Sequence, residues 1–209
     1  MRDYVAWHDE YGEPGSRLHQ RLQVVIELIG QALDGSPPGP IRFVSLCAGQ
    51  GHDILSVAAT HRRGRDLTGR LVELDPVNAT AAAARIEELG LASVEVRTAD
   101  AGTTDAYEGA VPADLVVACG IFGNVSLDDI EGTIRALPSL CAPSAWVVWT
   151  RHPRETGVLP AIEGWFEATG FERQALVVDD DAWFGVGLHR LAAEPVPYTP
   201  GQQLFTFVR

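Results

Sequence analysis

The sequence predicts an α/β fold, a doubly wound and mostly parallel sheet with an N-terminal helical appendage. Three observations carry this. Apolar stretches of strand length alternate five times with helical patterns, glycines or acids punctuate the strand ends, and one proline- and glycine-rich break (DGSPPGP, 34–40) sets the alternating unit apart from what precedes it. Strands joined through helices in this way run parallel with right-handed crossovers, so helices cover both faces of the sheet. At 209 residues the chain suits one compact domain. Within it, 1–35 form an N-terminal helical lid or appendage and 36–209 the main unit.

The elements follow in order. After Ser16 as N-cap, Leu18, Leu22, Val25, Ile29 and Leu33 recur at helical spacing. IRFVSLC (41–47) is a first strand, turned by glycines into a helix around 54–59. RLVEL (70–74) is a second; Asp75 and Pro76 then supply a cap and a first-turn proline to a helix that Gly90 ends. SVEVRT (93–98) is a third strand, with a short helix near 103–109. ADLVVACG (113–120) is a fourth, and Ser126 with Asp129 caps a helix whose Ile130, Ile134 and Leu137 share one face. AWVVWT (145–150) is a fifth. A helix with Leu159, Ile162 and Phe166 stops at Gly170, and 171–178 reads as strand. FGVGLHRL (184–191) and LFTFV (204–208) both have strand character.

Charge excludes whole classes of function. The net charge is −12, and all 16 basic residues are arginine. Without lysine there is no Schiff base, no P-loop and no lysine base. An acidic chain repels polyanions, so nucleic acid is not the expected substrate. The basic cluster His61-Arg62-Arg63-Gly64-Arg65 falls where a helix should end, and cations there complement the helix dipole; a phosphate-binding patch is the other reading. No apolar run approaches the length of a membrane helix, and the acidic opening segment does not read as a secretory signal. Cys47, Cys119 and Cys141 are widely spaced, with no paired metal-ligand spacing, which fits reduced thiols in a cytoplasm.

In parallel sheets ligands sit beyond the carboxyl ends of the strands. The first such end reads Cys47-Ala48-Gly49-Gln50-Gly51, where glycines allow backbone to approach a ligand closely. A nicotinamide fingerprint would add a third glycine, and that position is Ile54. The second strand ends in Glu73-Leu74-Asp75. Asp75 is taken up as a helix cap, which leaves Glu73 to accept hydrogen bonds from vicinal ribose hydroxyls; a solvated loop carboxylate is the alternative. The third end carries Asp100 and Ala101, an acid able to accept from an exocyclic purine amine or to cap the following turn.

Taken in order, LCAGQG, VELDP and ADAG make residues 41–191 resemble the class I S-adenosylmethionine-dependent methyltransferases. More loosely, WHDEY, SLCAGQG, CGIFGN and VVWTRH resemble a group of actinobacterial members. The resemblance implies a Rossmann-like, seven-stranded sheet and S-adenosyl-L-methionine as cofactor. The glycine loop (Cys47, Ala48, Gly49, Gly51) would run under the methionine part. Glu73 with Leu74 would take the ribose, Asp100 with the Ala101 backbone the adenine, and Gly120 the fourth motif position, where methyl and acceptor meet. The chain departs from the family at Ser45, where an acid is usual, and at Cys47, where the first glycine is usual.

Methyl transfer is an in-line displacement that depends on alignment, with a base where the acceptor must lose a proton. His8, His152 and Asn124 are the candidate catalytic residues, each with a surface or turn-holding role as its alternative. His189 is a less favoured third histidine. Tyr4, Trp7, Tyr11, Phe122 and Arg151 are the candidate acceptor contacts, with Arg151 able to clamp a substrate carboxylate. Tyr4, Trp7, His8 and Tyr11 are expected to fold over the pocket mouth as a lid. The expected partner is a small-molecule methyl acceptor, with no nucleic acid and no membrane; a homodimer is compatible with this reading. A non-catalytic module that binds the cofactor or its demethylated product is the competing reading.

Overall fold

The computed structural model describes Tyr11 and residues 13–208. One seven-stranded sheet organises the chain. In order these elements are α1 (Arg17–Gly35), β1 (Ile41–Leu46), α2 (Ile54–Thr60), β2 (Leu67–Glu73), α3 (Pro76–Leu89), β3 (Val94–Thr98), β4 (Ala113–Ala118), α4 (Leu127–Ala136), β5 (Cys141–Arg151), α5 (Val158–Ala168), β6 (Phe171–Asp179) and β7 (Phe184–Leu191). Across the sheet the order is β3-β2-β1-β4-β5-β7-β6. The pairings among β1 to β5 are parallel, and β7 runs antiparallel between β5 and β6. This is the mostly parallel, doubly wound sheet expected from the alternation.

Period-two alternation divides the strand side chains between two cores. Phe43, Leu71, Leu115, Val117, Val148 and Leu188 face α1, α2 and α3. Val44, Leu46, Val116, Val147 and Trp149 face α4 and α5. Helix α1 buries Val25, Leu28, Ile29, Ala32 and Leu33 in the first of these cores. The helix set apart by the sequence as an appendage is therefore a layer of the fold.

Local rules hold at the helix ends. Ser16 and Ser126 cap α1 and α4 by accepting from His19 N and Asp129 N, and Asp75 caps α3 with Pro76 in its first turn. Gly90 ends α3 in the left-handed conformation, at φ 63°. Strand β2 starts earlier than its apolar run, at Leu67, and β5 starts at Cys141.

Two expectations are corrected. The stretch 204–208 is not a strand: it joins no ladder of the sheet, which ends at β3 and β6. Instead the segment crosses the carboxyl end of the sheet through isolated bridges, Thr103 to Gln203 and Val125 to Phe207. Leu204 N and the Gln203 side-chain amide donate to Gly102 O, and Val208 N donates to Asn124 O.

The arginine cluster does not serve the helix it follows. Arg63 Nη1 donates to Leu33 O (2.6 Å) and Ser36 O (2.7 Å), closing the end of α1, and Nη2 reaches Pro37 O and Gly39 O. Arg65 donates to Leu89 O at the end of α3. The positive charges meet helix carboxyl ends as the dipole argument requires, on neighbouring helices rather than their own.

Candidate functional site

The loops after β1 to β5 gather at the carboxyl edge of the sheet. The first is tightly wound: Cys47, Gly49 and Gly51 have φ of 51°, 56° and 71°. At Gly51 an added Cβ would also lie 2.7 Å from Leu71 Cδ2 and 2.8 Å from Leu55 Cδ1, so glycine is required for space as well as backbone. Cys47 holds the same left-handed geometry with a side chain, at a cost of roughly 1–2 kcal/mol. Burial, then the nearby Glu73 and Asp100, push its thiol above the usual range, so it stays protonated.

Glu73 ties this loop to the next. Its Oε2 accepts from Gly49 N (2.7 Å) and its Oε1 from Asp75 N (2.8 Å). A carboxylate has about four lone-pair sites, so the half-buried group keeps acceptor capacity for two more donors. Asp75 turns away, its Oδ1 accepting from Val77 N (2.8 Å) and Asn78 N (3.3 Å). Leu74, between them, is exposed. After β3, Asp100 accepts from Gly102 N (2.8 Å) with its carboxylate exposed, and the buried Ala101 is anchored through its carbonyl to the Tyr107 hydroxyl (2.7 Å).

After β4 the chain turns at Gly120, φ 78°, with open space where a Cβ would stand. Gly120 N donates to Thr150 Oγ1 (2.8 Å), a contact the sequence reading missed because Thr150 sits inside an apolar strand pattern. Asn124 holds this turn, its side-chain amide donating to Gly120 O (2.8 Å). Phe122 corrects an expectation. It is fully buried against Trp149, with ring centroids 6.1 Å apart, and presents no face to an acceptor.

Strand β5 ends in Arg151, and His152 follows it. Arg151 is buried, 3.1 Å from the Glu155 carboxylate, and its Nη1 lies 2.7 Å from His152 Nε2. A guanidinium only donates, so the Nε2 lone pair of His152 is taken and its ring offers a donor, not a free base. Burial, then Arg151 and Arg154, hold the imidazole below its usual pKa. The Arg17 and Arg154 guanidinium groups stand 4.4 and 4.1 Å from the Trp183 ring, joining the start of α1, the loop after β5 and the β6–β7 turn.

Of the aromatic N-terminal set, Tyr4, Trp7 and His8 lie outside the described residues. Tyr11 sits against the glycine loop, its ring 5.1 Å from that of His52. Its hydroxyl accepts from Arg21 (2.9 Å), and its carbonyl lies 3.0 Å from His19 Nδ1. Burial raises the Tyr11 hydroxyl above its ordinary pKa. His189 lies elsewhere, in the core beneath α5: its Nδ1 accepts from Trp149 Nε1 (3.0 Å), its ring stacks on Phe166, and burial lowers its pKa to about 4. A groove of about 670 Å³ beside α5 and β6, lined by Leu159, Glu163, Phe171 and Arg173, shares no residue with these loops.

No protein-family model matches the chain, and no curated protein is similar to it by sequence. Solved structures do share its fold. Magnesium protoporphyrin IX methyltransferase (ChlM) from Synechocystis PCC 6803 with bound SAH has a TM-score of 0.67 at 13% identity, over 90% of this chain and 93% of that one. An O-methyltransferase family protein from Burkholderia thailandensis gives 0.63 at 18% identity over 88% of this chain, which spans only 57% of that protein. The [4+2]-cyclase SpnF gives 0.62 at 15% identity over 88% and 85% of the two chains. The architecture is that of the class I methyltransferase structures, a fold-level likeness. The described residues include no helix long and apolar enough to cross a membrane.

Proposed function

We propose that the chain binds S-adenosyl-L-methionine at the loops after β1 to β4 and transfers its methyl group to a small-molecule acceptor through O or N. The observation that carries this reading is Glu73, a carboxylate at the end of β2 that braces the glycine loop through Gly49 N and keeps lone pairs for ribose hydroxyls. Asp100 stands at the end of β3 for the adenine amine, and the space at Gly120 leaves the fourth loop open beside them. Bound there, the cofactor supplies an electrophilic methyl group and leaves as a neutral sulfide. The chain's own task is to orient the donor and hold the acceptor in line. Tyr11, packed on the glycine loop, supports a lid role for the N-terminal aromatic set, whose Tyr4, Trp7 and His8 lie outside the described residues. The net charge favours a small acceptor over nucleic acid, and three free cysteines suit a cytoplasmic setting.

One observation favours a second reading, a non-catalytic binding module. Of the two described candidates for catalysis, Asn124 is an amide that holds the turn at Gly120 and His152 has its Nε2 lone pair taken by Arg151, and a fold neighbour named as a cyclase shows that this architecture hosts other activities. Calorimetry tests the shared core of both. S-adenosylhomocysteine should bind and raise the melting temperature, by about 2.7 kcal/mol of stabilisation at 100 times Kd, and NADH should not. A folded sample with no response to millimolar S-adenosylhomocysteine removes the proposal. Methyl transfer in a metabolite-extract screen then separates enzyme from module.

A further inference from the structure

At and just after the end of β5, two buried donors lack partners. Arg151 Nη1 donates to His152 Nε2, so the neutral His152 ring must carry its proton on Nδ1. That Nδ1 and Arg151 Nε are both buried, and neither has a hydrogen-bond partner among the described residues. The Arg151 side chain is 4% exposed, and its counter-charge among the described residues is one carboxylate, Glu155, itself 57% exposed. A buried cation balanced by one solvated partner is under-compensated. Glu155 sits in the irregular stretch 152–157 and is free to be exchanged for another anion.

The place of this pair matters as much as its chemistry. An added Cβ on Gly123 would lie 3.4 Å from His152 Cδ2 and 3.6 Å from Arg151 Nη1. The pair therefore stands against the loop after β4, on the acceptor side of Gly120. We propose that Arg151 grips a carboxylate of the methyl acceptor, which displaces Glu155, so that the substrate is a small organic acid. This rests on the reading of the site as a methyl-transfer centre. A carboxylate fits better than a phosphate, because one guanidinium meets a single negative charge, and Glu155 already shows a carboxylate seated on Arg151.

Ligand-observed NMR with the full chain tests this, using acetate, hexanoate and benzoate, each paired with its primary amide, and inorganic phosphate as a further probe. At least one acid should bind saturably and its amide should not. Replacing Arg151 by Met or Lys should weaken that acid by roughly 10- to 150-fold, the worth of a lost charge-assisted pair. Glu155→Gln, at an exposed position, should instead tighten it, a gain that a merely structural Arg151 does not predict. Thermal melts establish that each variant is folded, and the Glu155 variant keeps the test alive should Arg151→Met not fold. Failure of every acid, equal binding of acid and amide, indifference to both substitutions, or tighter binding of phosphate each overturns the proposal. Titrating S-adenosylhomocysteine in the same samples keeps the two readings apart. Loss of that binding with acid binding intact removes the cofactor, and the reverse pattern removes only the acid.

Discussion

Replacing Glu73 with alanine removes two hydrogen bonds at once, from Gly49 N at 2.7 Å and Asp75 N at 2.8 Å. Bonds to a charged group are worth roughly 1.5–3 kcal/mol each, but water regains part of this at a half-buried site. The expected loss of stability is about 2–3 kcal/mol by that reckoning. For a chain of this size it lowers Tm by about 4–12 °C. The same carboxylate is assigned to the ribose, so S-adenosylhomocysteine should bind roughly 10- to 150-fold more weakly. Asp75→Ala is the control, since it removes only the cap of α3. It should cost about 1 kcal/mol of stability and shift affinity by less than about threefold. Urea unfolding gives the stabilities, and calorimetry well below each Tm gives the affinities. Wild-type affinity in Glu73→Ala, or loss of binding in Asp75→Ala with Glu73→Ala intact, refutes the assignment.

Three further outcomes are expected. Arg63→Met should destabilise by about 2–4 kcal/mol through four lost carbonyl contacts and the Asp66 pair, with S-adenosylhomocysteine affinity kept; an unchanged Tm refutes its helix-closing role. His189 has a folded pKa of about 4 against an ordinary 6.5. Between these values the unfolded chain binds a proton that the folded one refuses, so its contribution is present above pH 6.5 and is lost as pH falls towards 4, by up to about 3 kcal/mol. His189→Phe should flatten that part of the stability profile, and an identical slope in both proteins overturns the argument. Deleting residues 1–13, which removes Tyr11 from the glycine loop, should leave a cooperatively melting core with weaker cofactor affinity. Unchanged affinity there refutes the lid.

What could be read from the sequence was what local chemistry decides. Ser16, Asp75, Ser126 and Gly90 act within their own turn of helix, and the strands follow from apolar runs between punctuating residues. Glu73 was legible because alternation along β2 separates it from Leu74 and the cap claims Asp75. Contacts made across the fold left no comparable trace. Arg63 reaches carbonyls 24–30 residues away, and nothing in the tract HRRGR says which helix it closes. Phe122 looked available because it falls in the glycine-bearing loop after β4, yet it turns inward onto Trp149, a contact set by a strand that follows much later. The stretch 204–208 has strand composition, but its partners are the loops after β3 and β4, which it meets only through isolated bridges. The tautomer of His152 likewise depends on where Arg151 points, which only packing decides.

The segment that crosses the carboxyl end of the sheet has an evolutionary consequence. Residues 203–208 bond Gly102 in the loop after β3 and Asn124 in the loop after β4. Loops that ordinarily diversify independently are here yoked through one short peptide. An insertion that reshapes the acceptor loop would pull on the brace and displace the turn at Gly102, 22 residues earlier in the chain. Variation in acceptor choice is therefore expected to enter through the loop after β5, while the loops after β3 and β4 change together or not at all.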